Sequence, residues 1–176
     1  ADAAVNITGD YVTLKGVVAT GAVSDPLRPN AEIGGIVVTR SADYAVLEDV
    51  VSRDNKWGIM LLSSGGSQPT KGHLVKNCQV YNTNKDGIVF NSNDVTISGC
   101  TIHDMAVGSQ PGLGHGIYAT NGSDEAAGAL PGDPGTGDGC DNAILENNTI
   151  YRSFNFGNGI NYKCGRGIVQ NNVISE

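Results

Sequence analysis

Apolar residues alternate with polar ones in short runs along most of the chain, and the runs themselves recur. Between Leu74 and Ile102, Val75 matches Ile97, Cys78 matches Cys100 and Val80 matches Ile102, each at an offset of 22 residues. Residues two apart on a strand face the same way, so each run predicts a strand with one apolar face. A fixed period in the low twenties predicts that such strands stack, one coil per repeat. The same phase yields an inward column of Leu14, Leu47, Val75, Ile97, Leu145 and Val169. A second column, each member preceded by Gly, contains Ile36, Ile59, Ile88, Ile117 and Ile160. Helical spacing is nowhere sustained. The expectation is an all-β solenoid of about six coils, two or three strands per coil, as a single domain over residues 1–176.

The Gly before each Ile, at 35, 58, 87, 116 and 159, predicts a bend or a positive φ that a Cβ would penalise. Coil length varies. An Asp/Gly-rich loop insertion spans 120–140, and smaller excesses fall at 21–33, 63–72 and 106–114. Loops on a rigid solenoid either build binding sites or decorate the surface. Cys78 and Cys100 share a phase with Asn148 and Asn172, and Cys140 shares one with Cys164. A coil step of about 4.8 Å is within reach of a disulfide. Cys140 and Cys164 are therefore a disulfide candidate at the base of the insertion, with free thiols the alternative there and the better expectation for Cys78 and Cys100.

Composition narrows the picture. Only 39% of the chain is apolar and 25 residues are Gly, which suits a core one side chain deep. Eleven basic residues against 18 acidic ones, a net charge of −7, argue against a nucleic-acid partner. They also require that any polyanionic partner meet a local basic groove or bridging cations. No apolar run reaches the ~20 residues of a membrane span. The ends, Ala1-Asp2-Ala3-Ala4 and Ser175-Glu176, read as cuts, so the expectation is a monomer or part of a longer chain.

Two outward constellations carry candidate chemistry. After the first strand of a coil come paired positions: Arg53 and Asp54, Tyr81 and Asn82, His103 and Asp104, Tyr151 and Arg152. In register, Asp54, Asn82 and Asp104 form a line of oxygen donors suited to calcium, with Arg152 next. A carboxylate pair flanking a sugar bond and a solvated, ion-paired turn are the alternatives. The second constellation precedes the Gly-Ile column: Trp57, Asp86, His115 and Asn158 share a phase, with Lys56 and Lys85 before the first two. Asp86 is placed to orient the His115 imidazole or share a proton with it, and Trp57 offers a sugar-stacking face. Tyr118, Asn161 and Lys163 project from the strands that follow. The acidic insert, with Asp124, Glu125, Asp133, Asp138 and Asp141, fits no regular calcium repeat.

Asn-Asn-Thr-Ile at 147–150, Asn-Asn-Val-Ile at 171–174 and the Gly-Ile column resemble the right-handed parallel β-helix superfamily of pectate lyases, polygalacturonases and alginate epimerases. The resemblance runs from about Tyr11 to Ile174. Asn-Lys-Asp-Gly at 84–87 and Gly-His-Gly at 114–116 resemble two polygalacturonase motifs, which implies a catalytic Asp86 and an accompanying His115. The Asp-Asp coil between those motifs and the Arg-Ile-Lys run are missing, as is the Asp-Pro-His-Glu run of alginate epimerases. What the resemblance implies is a secreted, extracellular carbohydrate-active protein, most of all a lyase of a uronate-containing polysaccharide. Asp86, His115 and Lys163 would be catalytic, and Trp57, Tyr81, Tyr118, Tyr151, Arg152 and Asn161 would bind substrate. A non-catalytic glycan-binding or structural solenoid and a glycoside hydrolase are the alternatives.

Overall fold

The computed structural model describes residues 2–23, 33–63, 69–107, 114–120, 140–154 and 157–176. Their strands, numbered in chain order, form three parallel sheets of six. The first sheet contains β1 (Asp2–Ile7), β4 (Ile33–Val38), β7 (Trp57–Leu61), β10 (Ile88–Phe90), β13 (Ile117–Ala119) and β16 (Ile160–Tyr162). The second contains β2 (Thr13–Lys15), β5 (Val46–Glu48), β8 (Leu74–Lys76), β11 (Thr96–Ser98), β14 (Ala143–Glu146) and β17 (Gly167–Gln170). The third contains β3 (Val18–Thr20), β6 (Val51–Asn55), β9 (Gln79–Thr83), β12 (Thr101–Met105), β15 (Thr149–Ser153) and β18 (Val173–Ser175). Successive strands visit the three sheets in turn, which makes a parallel β-helix of six coils with three strands each. Both predicted columns are in register: Ile36, Ile59, Ile88, Ile117 and Ile160 pair in series, as do Leu14, Leu47, Val75, Ile97, Leu145 and Val169.

Corners are set by residues in the left-handed region. Between the second and third sheets stand Gly16, Asp49, Asn77, Gly99, Asn147 and Asn171, and between the third and first stand Asp54, Asn82, Asp104 and Arg152, all at positive φ. Gly, Asn and Asp tolerate that conformation best, which is why they recur at this phase. The Gly before each core Ile has a different cause. None of the five has a positive φ. A Cβ on Gly87 would lie 2.7 Å from the Gly116 carbonyl oxygen, and one on Gly116 would lie 2.6 Å from that of Gly159. Close approach of coil to coil, rather than backbone conformation, excludes a side chain there.

Two cross-coil devices stitch the stack. Asn172 Oδ1 accepts the Asn148 N–H at 3.0 Å, Asn148 Oδ1 accepts the Cys100 N–H at 2.9 Å, and each amide donates to a carbonyl one coil back. Buried, unbonded Cys100 and Cys78 continue the series, their thiols donating to Val75 and Leu47 carbonyls. The Cys140–Cys164 disulfide is formed, with Cα atoms 5.6 Å apart. Of the insertion, 121–139 lies outside the described residues, and with it Asp124, Glu125, Asp133 and Asp138.

Candidate active site

The corner where the third sheet hands over to the first builds the site. The left-handed residue at 54, 82, 104 and 152 turns the chain, which then enters the first sheet through the Gly-Ile step. Backbone bonds from Gly58 to Asp86, Gly87 to His115 and Gly116 to Asn158 hold neighbouring coils in register. Trp57, Asp86, His115 and Asn158 therefore occupy one row, as their shared phase predicts.

Within the row, side chains bond to backbone rather than to one another. Asp86 is 2% exposed, and its Oδ1 accepts the N–H groups of Gly114 at 3.2 Å and His115 at 2.8 Å. His115 repeats the device one coil on, its Nδ1 accepting the Asn158 N–H at 2.8 Å. Asp86, expected as a catalytic carboxylate that orients the imidazole or shares a proton with it, is buried and meets the backbone instead. Its oxygen is committed to two backbone donors, and it positions His115 through the main chain. Burial pushes the His115 pKa down, with the Asp86 charge opposing and the Lys163 charge assisting. A neutral ring whose Nδ1 accepts carries its proton on Nε2.

That Nε2 faces an outward cluster on the first sheet. Tyr118 and Asn161 are paired neighbours on β13 and β16. The Asn161 Nδ2 lies 3.2 Å from His115 Nε2. The His115 and Tyr118 rings are 5.1 Å apart and tilted. Lys163 Nζ donates to the Tyr118 hydroxyl oxygen at 3.2 Å and sits over its ring. His115, Tyr118, Asn161 and Lys163 thus converge as one half-buried group that offers an amine, a phenol, an imidazole N–H and a carboxamide on one face. Two coils back in the same row, Trp57 carries Lys56 and Lys85 over its ring at 4.5 and 4.9 Å, so the indole offered for sugar stacking holds ammonium groups.

Tyr81, Tyr151 and Arg152 lie apart, on the outer face of the third sheet. Tyr81, His103 and Tyr151 stack with centroids 4.9 and 4.7 Å apart, and Arg152 lies over Tyr151. His103 covers one face of Tyr81 and one of Tyr151, so these residues, expected to bind substrate, form a ladder that binds coil to coil. The neighbouring line of Asp54, Asn82 and Asp104 forms as predicted, but its oxygens are taken. Asp54 accepts from Asn82 and Arg53, and Asp104 from Arg152 at 2.6 Å and His103. A calcium ion would have to displace two guanidinium groups from a row that does not converge. Among the described residues no group of three or more His, Cys, Asp or Glu side chains is arranged to hold a metal. The ladder does not fit the ion.

The signal in the sequence for the aromatic stack and for the lysine pair on Trp57 is the shared phase itself, since equivalent residues on successive coils must meet. His73 is buried in the interior, its Nδ1 accepting the Ala45 N–H at 3.2 Å.

The family model of the right-handed beta helix region matches residues 34–129. Among solved structures, the alginate lyase from Paenibacillus sp. str. FPU-7 is similar, with a TM-score of 0.54 at 17% identity, over 94% of this chain and 67% of that one. At this identity the likeness is one of fold. No curated protein matches the sequence.

Proposed function

The chain belongs to the right-handed β-helix family, and on that scaffold we propose an extracellular carbohydrate-active enzyme that cleaves a uronate-containing polysaccharide by β-elimination. The observation that carries the reading is the 3.2 Å bond from Lys163 Nζ to the Tyr118 hydroxyl. In this mechanism the deprotonated form of Lys163 removes the proton α to the uronate carboxylate. The C–O bond to the departing sugar breaks as the ring double bond forms, and the Tyr118 O–H protonates the leaving oxygen. Lys163 is then an ammonium and Tyr118 a phenolate, already hydrogen-bonded to each other, so one proton transfer restores both. The His115 Nε2–H and the Asn161 amide are donors for the carboxylate and the negative charge it gains. Asp86 keeps the 114–115 backbone in place.

Three observations support this reading over hydrolysis or passive binding. The carboxylate a polygalacturonase-like hydrolase would use, Asp86, is buried and bonded to backbone. An amine and a phenol in direct contact suit proton shuttling more than packing. The similar alginate lyase uses the same fold on an acidic polysaccharide, by its name. The Cys140–Cys164 bond supports an oxidising, extracellular setting.

The test is incubation with alginate, polygalacturonate and a neutral glucan. The expected result is rising ultraviolet absorbance from an unsaturated uronate end with one of the acidic polymers, abolished in Lys163→Met. New reducing ends without that absorbance would make the protein a hydrolase. Retention on the polymer with neither signal would make it a binding module.

A further inference from the structure

The Trp57 corner has no part in the proton transfers, yet it concentrates positive charge on a protein whose net charge is −7. The Lys85 N–H donates to the Lys56 carbonyl at 2.8 Å, so the two lysines hold equivalent places on consecutive coils. Both ammonium groups then lie within 5 Å of one indole centroid, at 4.5 and 4.9 Å. Lys56 is 2% exposed, whereas Lys85 is half-buried and reaches solvent. Like charges held together repel, and burial with the Lys85 charge pushes the Lys56 pKa down. The indole face offsets part of that cost, and an anion at Lys85 would offset more.

The same combination, a lysine over an aromatic ring, recurs two coils along the same sheet as Lys163 over Tyr118. Lys85 stands three residues before Ile88 and Lys163 three after Ile160, at opposite ends of strands two coils apart in register. A chain crossing the first sheet obliquely would therefore meet a lysine at each place. We infer that Lys85, braced on Trp57 beside the buried Lys56, binds the carboxylate of a second uronate residue and so fixes the course of the polysaccharide across the first sheet. The inference rests on the lyase reading for its choice of uronate, but not for the subsite itself. Lys85 touches the ligand, while Trp57 and Lys56 position it.

Trp57 is the sole tryptophan of the chain, so its emission reports this corner alone. The experiment titrates Lys163→Met, which cannot turn substrate over, with hexamers of alginate and of galacturonate and with cellohexaose. One uronate hexamer is expected to change the emission saturably and cellohexaose to leave it unchanged. Lys85→Met in that background should weaken binding about tenfold, the loss of one charge contact, and Lys85→Arg should restore it to within about threefold. Circular dichroism confirms that each variant is folded, and Lys85→Gln replaces any that is not. No change with either uronate, an equal change with cellohexaose, or an unaltered affinity in the Lys85 variants overturns the subsite. If the wild type forms no unsaturated product while the emission titration holds, the lyase reading fails and the subsite stands. Product formation by a wild type whose KM is unmoved by Lys85→Met has the opposite meaning.

Discussion

The Asp86 carboxylate accepts the backbone N–H of His115 at 2.8 Å from one coil below, and not the imidazole. That relationship separates a positioning carboxylate from a catalytic one. Asp86→Asn keeps an acceptor oxygen for the two N–H groups of Gly114 and His115. Asp86→Ala leaves both donors buried and unmet, a loss of about 2–4 kcal/mol. The expected outcome in urea unfolding is a small change for Asp86→Asn and a large one for Asp86→Ala. In turnover, Asp86→Asn should keep activity to within a few-fold, whereas a catalytic carboxylate would lose two or more orders of magnitude.

His73 makes stability depend on pH. Burial pushes its pKa down from 6.5 to about 4, and among the described residues its buried Nε2 has no hydrogen-bond partner. Folding thus favours the neutral ring. Above about pH 6.5 the ring is neutral folded and unfolded, and the full stability is present. As pH falls towards 4 the unfolded chain takes up a proton that the folded one refuses, and about 3 kcal/mol is lost. The lowered pKa of His115 acts in the same direction. Urea midpoints measured from pH 7.5 to 4 should fall through this window, and His73→Met should remove most of the slope. A slope unchanged by that substitution would falsify the assignment.

Much of the scaffold was legible because a solenoid repeats its reasons. Ile59, Ile88 and Ile117 share a phase, so one pairing rule placed them all. The cysteine pair at 140 and 164 followed from the same rule. What the phase did not tell was the use each outward side chain makes of its neighbour. Asp86 and His115 were placed in one row correctly, but a carboxylate one coil from a backbone N–H takes that donor before any imidazole. Between Tyr81 and Tyr151 lies His103 at the same phase, and it covers one face of each. Tyr118, Asn161 and Lys163 were found because alternate residues after the Gly-Ile step must face outward.

The Cys140–Cys164 bond should act on the site as well as the fold. It closes a segment with a sequence separation of 24 residues and adjoins Lys163. Restricting an unfolded loop of that size stabilises by about 3 kcal/mol. Cys140→Ser with Cys164→Ser is therefore expected to lower the thermal midpoint by several degrees. Because Lys163 loses its covalently pinned neighbour, turnover should also fall at temperatures where the variant remains folded by circular dichroism. Reductant on the wild type should reproduce both effects, and leave the double variant unchanged.

The 3.2 Å bond between Lys163 and Tyr118 makes a kinetic prediction that separate roles would not. If Lys163 takes the substrate proton and Tyr118 gives one to the leaving oxygen, the two act in a single cycle and reset each other. Removing either stops the cycle. Lys163→Met and Tyr118→Phe are each expected to cut kcat by about two to four orders of magnitude. The double variant should be scarcely worse than the slower single one, since groups that act as a unit are not additive. Tyr118→Phe keeps the ring that lies beside His115 and beneath Lys163, so its stability should change by less than about 1 kcal/mol, and its loss of rate is then chemical. Independent contributions would show as rate losses that multiply in the double variant, and that result would assign the bond to packing alone.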